Sequence, residues 1–170
     1  MYQEIIPRAL TNTKQQTISN KTVWYQHKDK SLDMHKLLEE FTQFFRENAE
    51  AGLDKNYVES GPHLLMQAFL QRIINGGGSI NREYALGKSR VDLLIKWPHG
   101  SQRIAIELKV LRSAKTRPDG LEQTARYMDK SKATEGHLVI FDTKSKKIWE
   151  EKIYQKKEMV GGKTINVWGM

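Results

Sequence analysis

The sequence has no cysteine. That excludes disulfides and thiolate metal sites, and it accords with a reducing cytoplasm, the location we expect. No apolar run approaches the ~20 residues that a membrane span needs, so a membrane is not an expected partner. The opening Met1-Tyr2-Gln3-Glu4 lacks the basic-then-apolar order of a secretory signal. No Gly-x-x-x-x-Gly-Lys-Ser/Thr segment occurs, so ATP binding through a P-loop is not expected. There is no internal repeat and no low-complexity segment.

What remains is a chain of 170 residues, 38% hydrophobic and 28% charged, long enough for one domain with a real core. Its net charge of +8 draws polyanions by long-range attraction and counterion release. Nucleic acid is the commonest partner of that kind. An acidic membrane surface or protein is the rival, and many basic proteins are so only for solubility.

Residues 1–30 are polar and weakly patterned and read as an N-terminal arm or linker, with a short strand at Thr22-Val23-Trp24-Tyr25. The domain proper is expected over 31–170. A helix capped by Ser31 carries Leu32, His35, Leu37, Leu38, Phe41, Phe44 and Phe45 at helical spacing and ends at Gly52. A second begins near Glu59, tolerates Pro62 in its first turn, and shows a broad apolar face of Leu64, Leu65, Ala68, Phe69, Ile73 and Ile74 before Gly76-Gly77-Gly78 stops it. The period then becomes twofold. Residues 79–86, 90–97 and 103–110 read as three antiparallel strands joined by short turns at 87–89 and 98–101. A polar loop follows over 112–118, then a helix capped by Asp119 and running to about Lys132. His137-Leu138-Val139-Ile140-Phe141-Asp142 suits a strand covered on both faces and parallel to the third. Residues 147–157 and 163–168 form a closing hairpin turned by Gly161-Gly162. The expected fold is α/β, a mixed central sheet flanked by helices.

Parity locates the chemistry. In the third strand Glu107 and Lys109 share one face, opposite Ile106 and Leu108. In the second, Asp92 shares a face with Arg90, Leu94 and Lys96. Pairing through the turn at 98–101 brings Asp92 near Glu107. Two close carboxylates need a cation or a shared proton. With no thiolate and no histidine cluster, their oxygens suit a hard ion, Mg²⁺ first. Such an ion can polarise a phosphoryl oxygen and activate water, and a neighbouring ammonium can hold that water and offset developing charge. The plainer alternative is a solvated face with a surface ion pair worth under ~1 kcal/mol. In the next helix Gln123 and Tyr127 lie four apart on one side, and Arg126 and Lys130 form a second such pair. His63 is a candidate ligand or phosphate contact, or else a structural histidine at a helix start. The tryptophans at 24, 97, 149 and 168 can stack bases or pack the core. The lysines at 144, 146, 147, 152, 156 and 157 can follow a phosphate backbone or serve as a solvated edge.

Glu59, Asp92, Glu107-Leu108-Lys109 and Gln123…Tyr127 together resemble the PD-(D/E)XK nuclease superfamily over residues 56–142. The resemblance implies a restriction-endonuclease-like αβββαβ core, with an added N-terminal helix and C-terminal hairpin. Tyr57 to Leu64, Gly76-Gly77-Gly78, Arg82 to Gly87 and Arg90-Val91-Asp92-Leu93 look like a nuclease-like module found C-terminal to AAA-type ATPases in prokaryotes. Pro7-Arg8-Ala9-Leu10-Thr11 looks like the join in such proteins, so an excised or free-standing module with an ATPase partner is the expectation. The resemblance implies that Asp92, Glu107 and the Leu108 carbonyl hold Mg²⁺, with Mn²⁺ able to substitute. Glu59 would support the metal, in part through water. Lys109 would position or activate water, and Gln123 would orient the strand or the nucleophile. Val91 departs from the pattern, standing where the superfamily has its name-giving proline.

The first expectation is therefore a Mg²⁺-dependent endonuclease acting on nucleic acid, DNA before RNA, with Tyr127, Arg126, Lys130 and His63 as nucleic-acid contacts. The alternative is a non-cleaving nucleic-acid-binding or regulatory module of the same fold, since the superfamily contains such members. A protein-interaction scaffold is the third. Many nucleases dimerise, so a homodimer is admitted, although no residue marks an interface.

Overall fold

The computed structural model describes residues 23–50, 61–74, 77–86 and 89–170, without the side chains of 49–50, 74, 82–86 and 89–92. Helix α1, Met34–Glu50, starts later than the expected cap at Ser31. Gln26 and Leu32 form a β-bridge, which keeps the chain extended as far as Leu32. The Asp33 carboxylate then accepts the N–H of Lys36 at 3.0 Å and closes the first turn. Ser31 donates its hydroxyl to Asp29 instead. The strand expected at Trp24-Tyr25 is a turn, and the single Gln26 bridge is all the β pairing there. Gln102 fastens this segment to the sheet: its amide accepts from Leu32 N–H at 2.6 Å and donates to Leu32 C=O at 3.1 Å.

Leu37, Phe41 and Phe45 of α1 are buried, the i, i+4, i+8 row of an amphipathic helix, with Leu38 buried beside them, while His35 faces solvent. Helix α2, Gly61–Ile74, carries Pro62 in its first turn and buries Met66, Leu70 and Ile73. Its apolar face is narrower than expected, because Leu64 and Ala68 are exposed. Glu59 and Gly52 lie outside the described residues.

The strands are β1 Ser79–Leu86, β2 Ser89–Trp97, β3 Gln102–Val110, β4 Glu135–Phe141, β5 Tyr154–Val160 and β6 Lys163–Gly169. They form one mixed sheet in the order β1-β2-β3-β4-β6-β5. The first three are antiparallel, and β3 reaches its parallel neighbour β4 through helix α3, Thr116–Ser131. The closing hairpin joins this sheet by setting β6 parallel to β4, which leaves β5 at the edge. Gly161 and Gly162, with φ of 56° and 75°, make the tight turn between them. The first arm of the hairpin is shorter than expected, because Trp149–Lys152 form a single helical turn, α4, before β5 begins. Apart from the half-buried Glu135, all of β4 is buried, as its apolar run requires.

Helices cover both faces of the sheet. On one side α1 and α2 pack over Ile104, Ile106, Leu108, Val139 and Phe141. On the other, Leu121, Ala125, Tyr127 and Met128 of α3 pack over Leu94, Ala105, Leu138 and Ile140. Gly120 permits that approach, since a Cβ there would sit 2.7 Å from Leu138 Cδ1. No helix among the described residues is long and apolar enough to cross a membrane.

The exit of β4 is braced by Asp142. Its N–H donates to Met170 C=O at 2.6 Å, and its carboxylate accepts the Ser145 N–H at 3.0 Å and the Ser145 hydroxyl at 2.5 Å. Burial alone would raise the Asp142 pKa. The Ser145 bonds and the Lys152 charge outweigh it and hold the carboxyl below its ordinary value. A depressed pKa stabilises the fold above the unfolded value of about 3.9, and that stabilisation disappears as pH falls through the folded value. Asp142→Asn is therefore expected to be less stable than wild type at neutral pH, with the gap closing toward pH ~3. Urea titrations at the two pH values check this, and a gap independent of pH would exclude the carboxylate as its source.

Candidate active site

Strand β3 sorts its side chains by parity. Ile104, Ile106 and Leu108 enter the α1–α2 side of the core, while Ala105 faces α3. Glu107 shares the parity of Ala105 and is only 3% exposed. A carboxylate this deep costs several kcal/mol unless its charge is met. Lys109, on the same face and 28% exposed, places Nζ 2.8 Å from Glu107 Oε1. The parity read from sequence thus holds, but the pair is sunk at the edge of the core rather than lying on a solvated face.

The β2–β3 ladder pairs Leu94 with Ala105 and Leu93 with Ile106. Leu93–Ile106 is the last pair of that ladder on this side, and Asp92 and Glu107 are the residues next beyond it on their two strands. The Asp92 side chain and the whole of Glu59 lie outside the described residues. Among the described residues no group of three or more histidine, aspartate or glutamate side chains converges as a metal site.

Beyond the carboxyl end of β3 lies an open cleft of about 450 Å³, lined by His63, Leu108, Lys109, Val110, Arg112, Thr116, Asp119 and Gln123. Open α/β sheets commonly bind ligands outside the carboxyl ends of their strands. Lys109 and Gln123 therefore line one cavity, and His63 joins them from α2. The His63 ring stands 6.3 Å from that of Phe141, the last residue of β4. Arg126 and Lys130 are exposed on α3 and do not line the cleft. Tyr127 is 2% exposed among the core side chains under α3, which corrects its placement among nucleic-acid contacts: a ring packed there has no face left for a base.

Four lining residues were not singled out from sequence as site residues: Val110, Arg112, Thr116 and Asp119. Helix α3 starts at Thr116, three residues before the expected cap. The Thr116 hydroxyl accepts the N–H groups of Arg112 and Ser113, both at 3.2 Å, and folds the loop back on the helix start. Asp119 is consequently inside the first turn, one helical turn before Gln123, and faces the cleft rather than capping. A somewhat larger hollow of about 510 Å³ opens at the other end of the strands, around Lys96, Trp97, Gln102 and Arg103. Among its described lining residues there is no carboxylate, the donor a hard cation most needs.

Comparison with known proteins gives one family match, described as a domain of unknown function (DUF8371), over residues 34–145. No curated protein and no solved structure matches the chain. The matched span runs from the first residue of α1 to Ser145 and contains Asp92, Glu107, Lys109 and Gln123.

Proposed function

For a chain that belongs to the DUF8371 family, whose description names no activity, we propose a Mg²⁺-dependent endonuclease acting on nucleic acid, with DNA as the first substrate to test. The supporting observation is the buried Glu107 carboxylate, ion-paired with Lys109 at the edge of a cleft that Gln123 also lines. Its oxygen donors suit a hard cation: Glu107, the carboxylate carried at position 92, and the Leu108 carbonyl would hold it, with Glu59 in support. Bound Mg²⁺ would polarise the phosphoryl oxygen and lower the pKa of a bound water.

The side chains supply the rest. Lys109 orients the attacking water and offsets charge developing on phosphorus. Gln123 fixes that water or a ligating carboxylate by hydrogen bonding. Arg112 and His63, on the cleft wall, hold the flanking phosphate. The resemblance noted in the sequence supports the same assignment, and with it a cytoplasmic location and an ATPase partner.

One observation favours a second reading, a nucleic-acid-binding module that does not cut. Lys109 already balances the Glu107 charge at 2.8 Å, so the pair is tolerable without a metal. Incubating plasmid DNA, single-stranded DNA and RNA with the protein separates the two. Cleavage that requires Mg²⁺ or Mn²⁺ and stops on chelation is expected. Binding without product in either metal selects the second reading. No affinity at ~0.1 M salt leaves only the protein-interaction scaffold.

A further inference from the structure

The exits of β3 and β4 are side by side. Val110 pairs with Phe141, and Leu111 N–H donates to Phe141 C=O at 2.8 Å. Arg112, on the cleft wall, and Asp142, the first residue after β4, therefore leave the sheet at the same end. The segment after Asp142 carries Lys144, Lys146 and Lys147, all exposed. Asp142 holds its backbone through Ser145, and Lys152 Nζ donates to Asp142 C=O at 3.0 Å. The loop is thus braced and its lysines project from a fixed base.

The ammonium groups of those lysines make no hydrogen bond or ion pair among the described residues, although carboxylates lie close in the chain. Glu150 is taken by Arg46 at 3.2 Å, Glu158 by Arg117 and Asp142 by Ser145, while the exposed Glu151 pairs with none of the three lysines. Lys152 leans on its own α4 and Lys163 pairs with Asp129. Three like charges left unmatched within four residues repel one another, and an external polyanion removes that repulsion.

We infer that Lys144, Lys146 and Lys147 form a phosphate-binding rail, along which the nucleic acid entering the cleft runs out across the carboxyl end of β4. This rests on the proposed function only in taking nucleic acid as the occupant of the cleft. A phosphate held at Lys109 and Arg112 and further phosphates at the rail would lie on one path over adjacent strand ends. Each lysine that neutralises a phosphate steepens the salt dependence of binding, by about 0.9 in log–log slope for duplex and about 0.7 for single strands.

The test measures binding of a short fluorescent DNA duplex and of its single strand by anisotropy across a salt series, with Ca²⁺ replacing Mg²⁺ to prevent turnover. For the tighter probe, the Lys144→Gln/Lys146→Gln/Lys147→Gln protein should bind on the order of 10²-fold more weakly at ~0.1 M salt, with a slope shallower by about 2 to 3. A control, Lys132→Gln/Lys163→Gln, removes charge at the opposite end of β4 and β6 and should change the slope by less than about 1. Equal slopes for the triple variant and wild type overturn the rail, as does a wild type that binds neither probe. Cleavage in Mg²⁺, assayed in parallel, reports separately. Binding through the lysines without cleavage keeps the rail and sinks the nuclease, whereas cleavage with an unchanged slope does the reverse.

Discussion

Lys109→Met is expected to slow cleavage about 10³-fold and to lower stability by about 1–3 kcal/mol, and Mg²⁺ is expected to restore part of that stability. The two effects have one origin. Lys109 Nζ is the cation 2.8 Å from a carboxylate that is 3% exposed. Removing one member of a fully buried pair leaves a charge in a poor solvent and costs about 3–5 kcal/mol. Lys109 is itself 28% exposed at an open cleft, so water recovers part of that. An ion that binds Glu107 replaces the missing counterion and raises the melting temperature by mass action. Glu107→Gln gives the converse: cleavage falls as far, but the buried charge disappears with it, so stability holds and Mg²⁺ no longer shifts it. Single-turnover cleavage and thermal melts with and without Mg²⁺ read both halves. A Lys109→Met protein that cleaves at the wild-type rate removes the lysine from the chemistry. One whose melting temperature ignores Mg²⁺ removes Glu107 from the metal.

The parts of this arrangement that the sequence disclosed are those set by local periodicity. The twofold pattern of residues 79–110 marked three strands to within a residue, and parity alone placed Glu107 and Lys109 together. The apolar run ending at Phe141 marked a strand buried on both faces. What failed depended on contacts outside the repeating pattern, most of them distant in sequence. Nothing near Lys163–Gly169 states that it will sit beside β4 rather than extend the hairpin outward, because that choice is made by Ile165, Val167 and Trp168 meeting the sheet core. The start of α3 moved because one hydroxyl, that of Thr116, caught two backbone donors. Gln123 and Tyr127, four apart on α3, differ in depth. The helix crosses the sheet so that its first turns reach the cleft while Tyr127 lies over the core. His63 lines the cleft because α2 packs near Phe141, a contact that no spacing in α2 encodes.

Phe41→Ala should cost about 3–5 kcal/mol, the range for emptying a buried phenylalanine site. Phe41 has no exposed surface, and its ring lies 5.3 Å from Phe69, 6.0 Å from Phe45 and 6.3 Å from Phe141. It therefore joins three elements at once: its own α1, the α2 helix through Phe69, and the last residue of β4. Neighbours held in helices and a central strand cannot collapse into the space, so the cavity term persists beside the lost transfer energy. Phe41→Leu keeps most of the volume and should cost less than half as much. The consequence for the site follows from Phe141, which carries the neighbouring ring of His63 and pairs with the exit of β3. With Phe41 truncated, α2 loses a main anchor to the sheet, so amide exchange in Gly61–Ile74 should quicken before that in β3 and β4. Urea unfolding monitored by circular dichroism and native-state hydrogen exchange measure the two claims. A loss under ~1 kcal/mol with unchanged exchange in α2 would mean that the cleft wall is held by something other than this ring cluster.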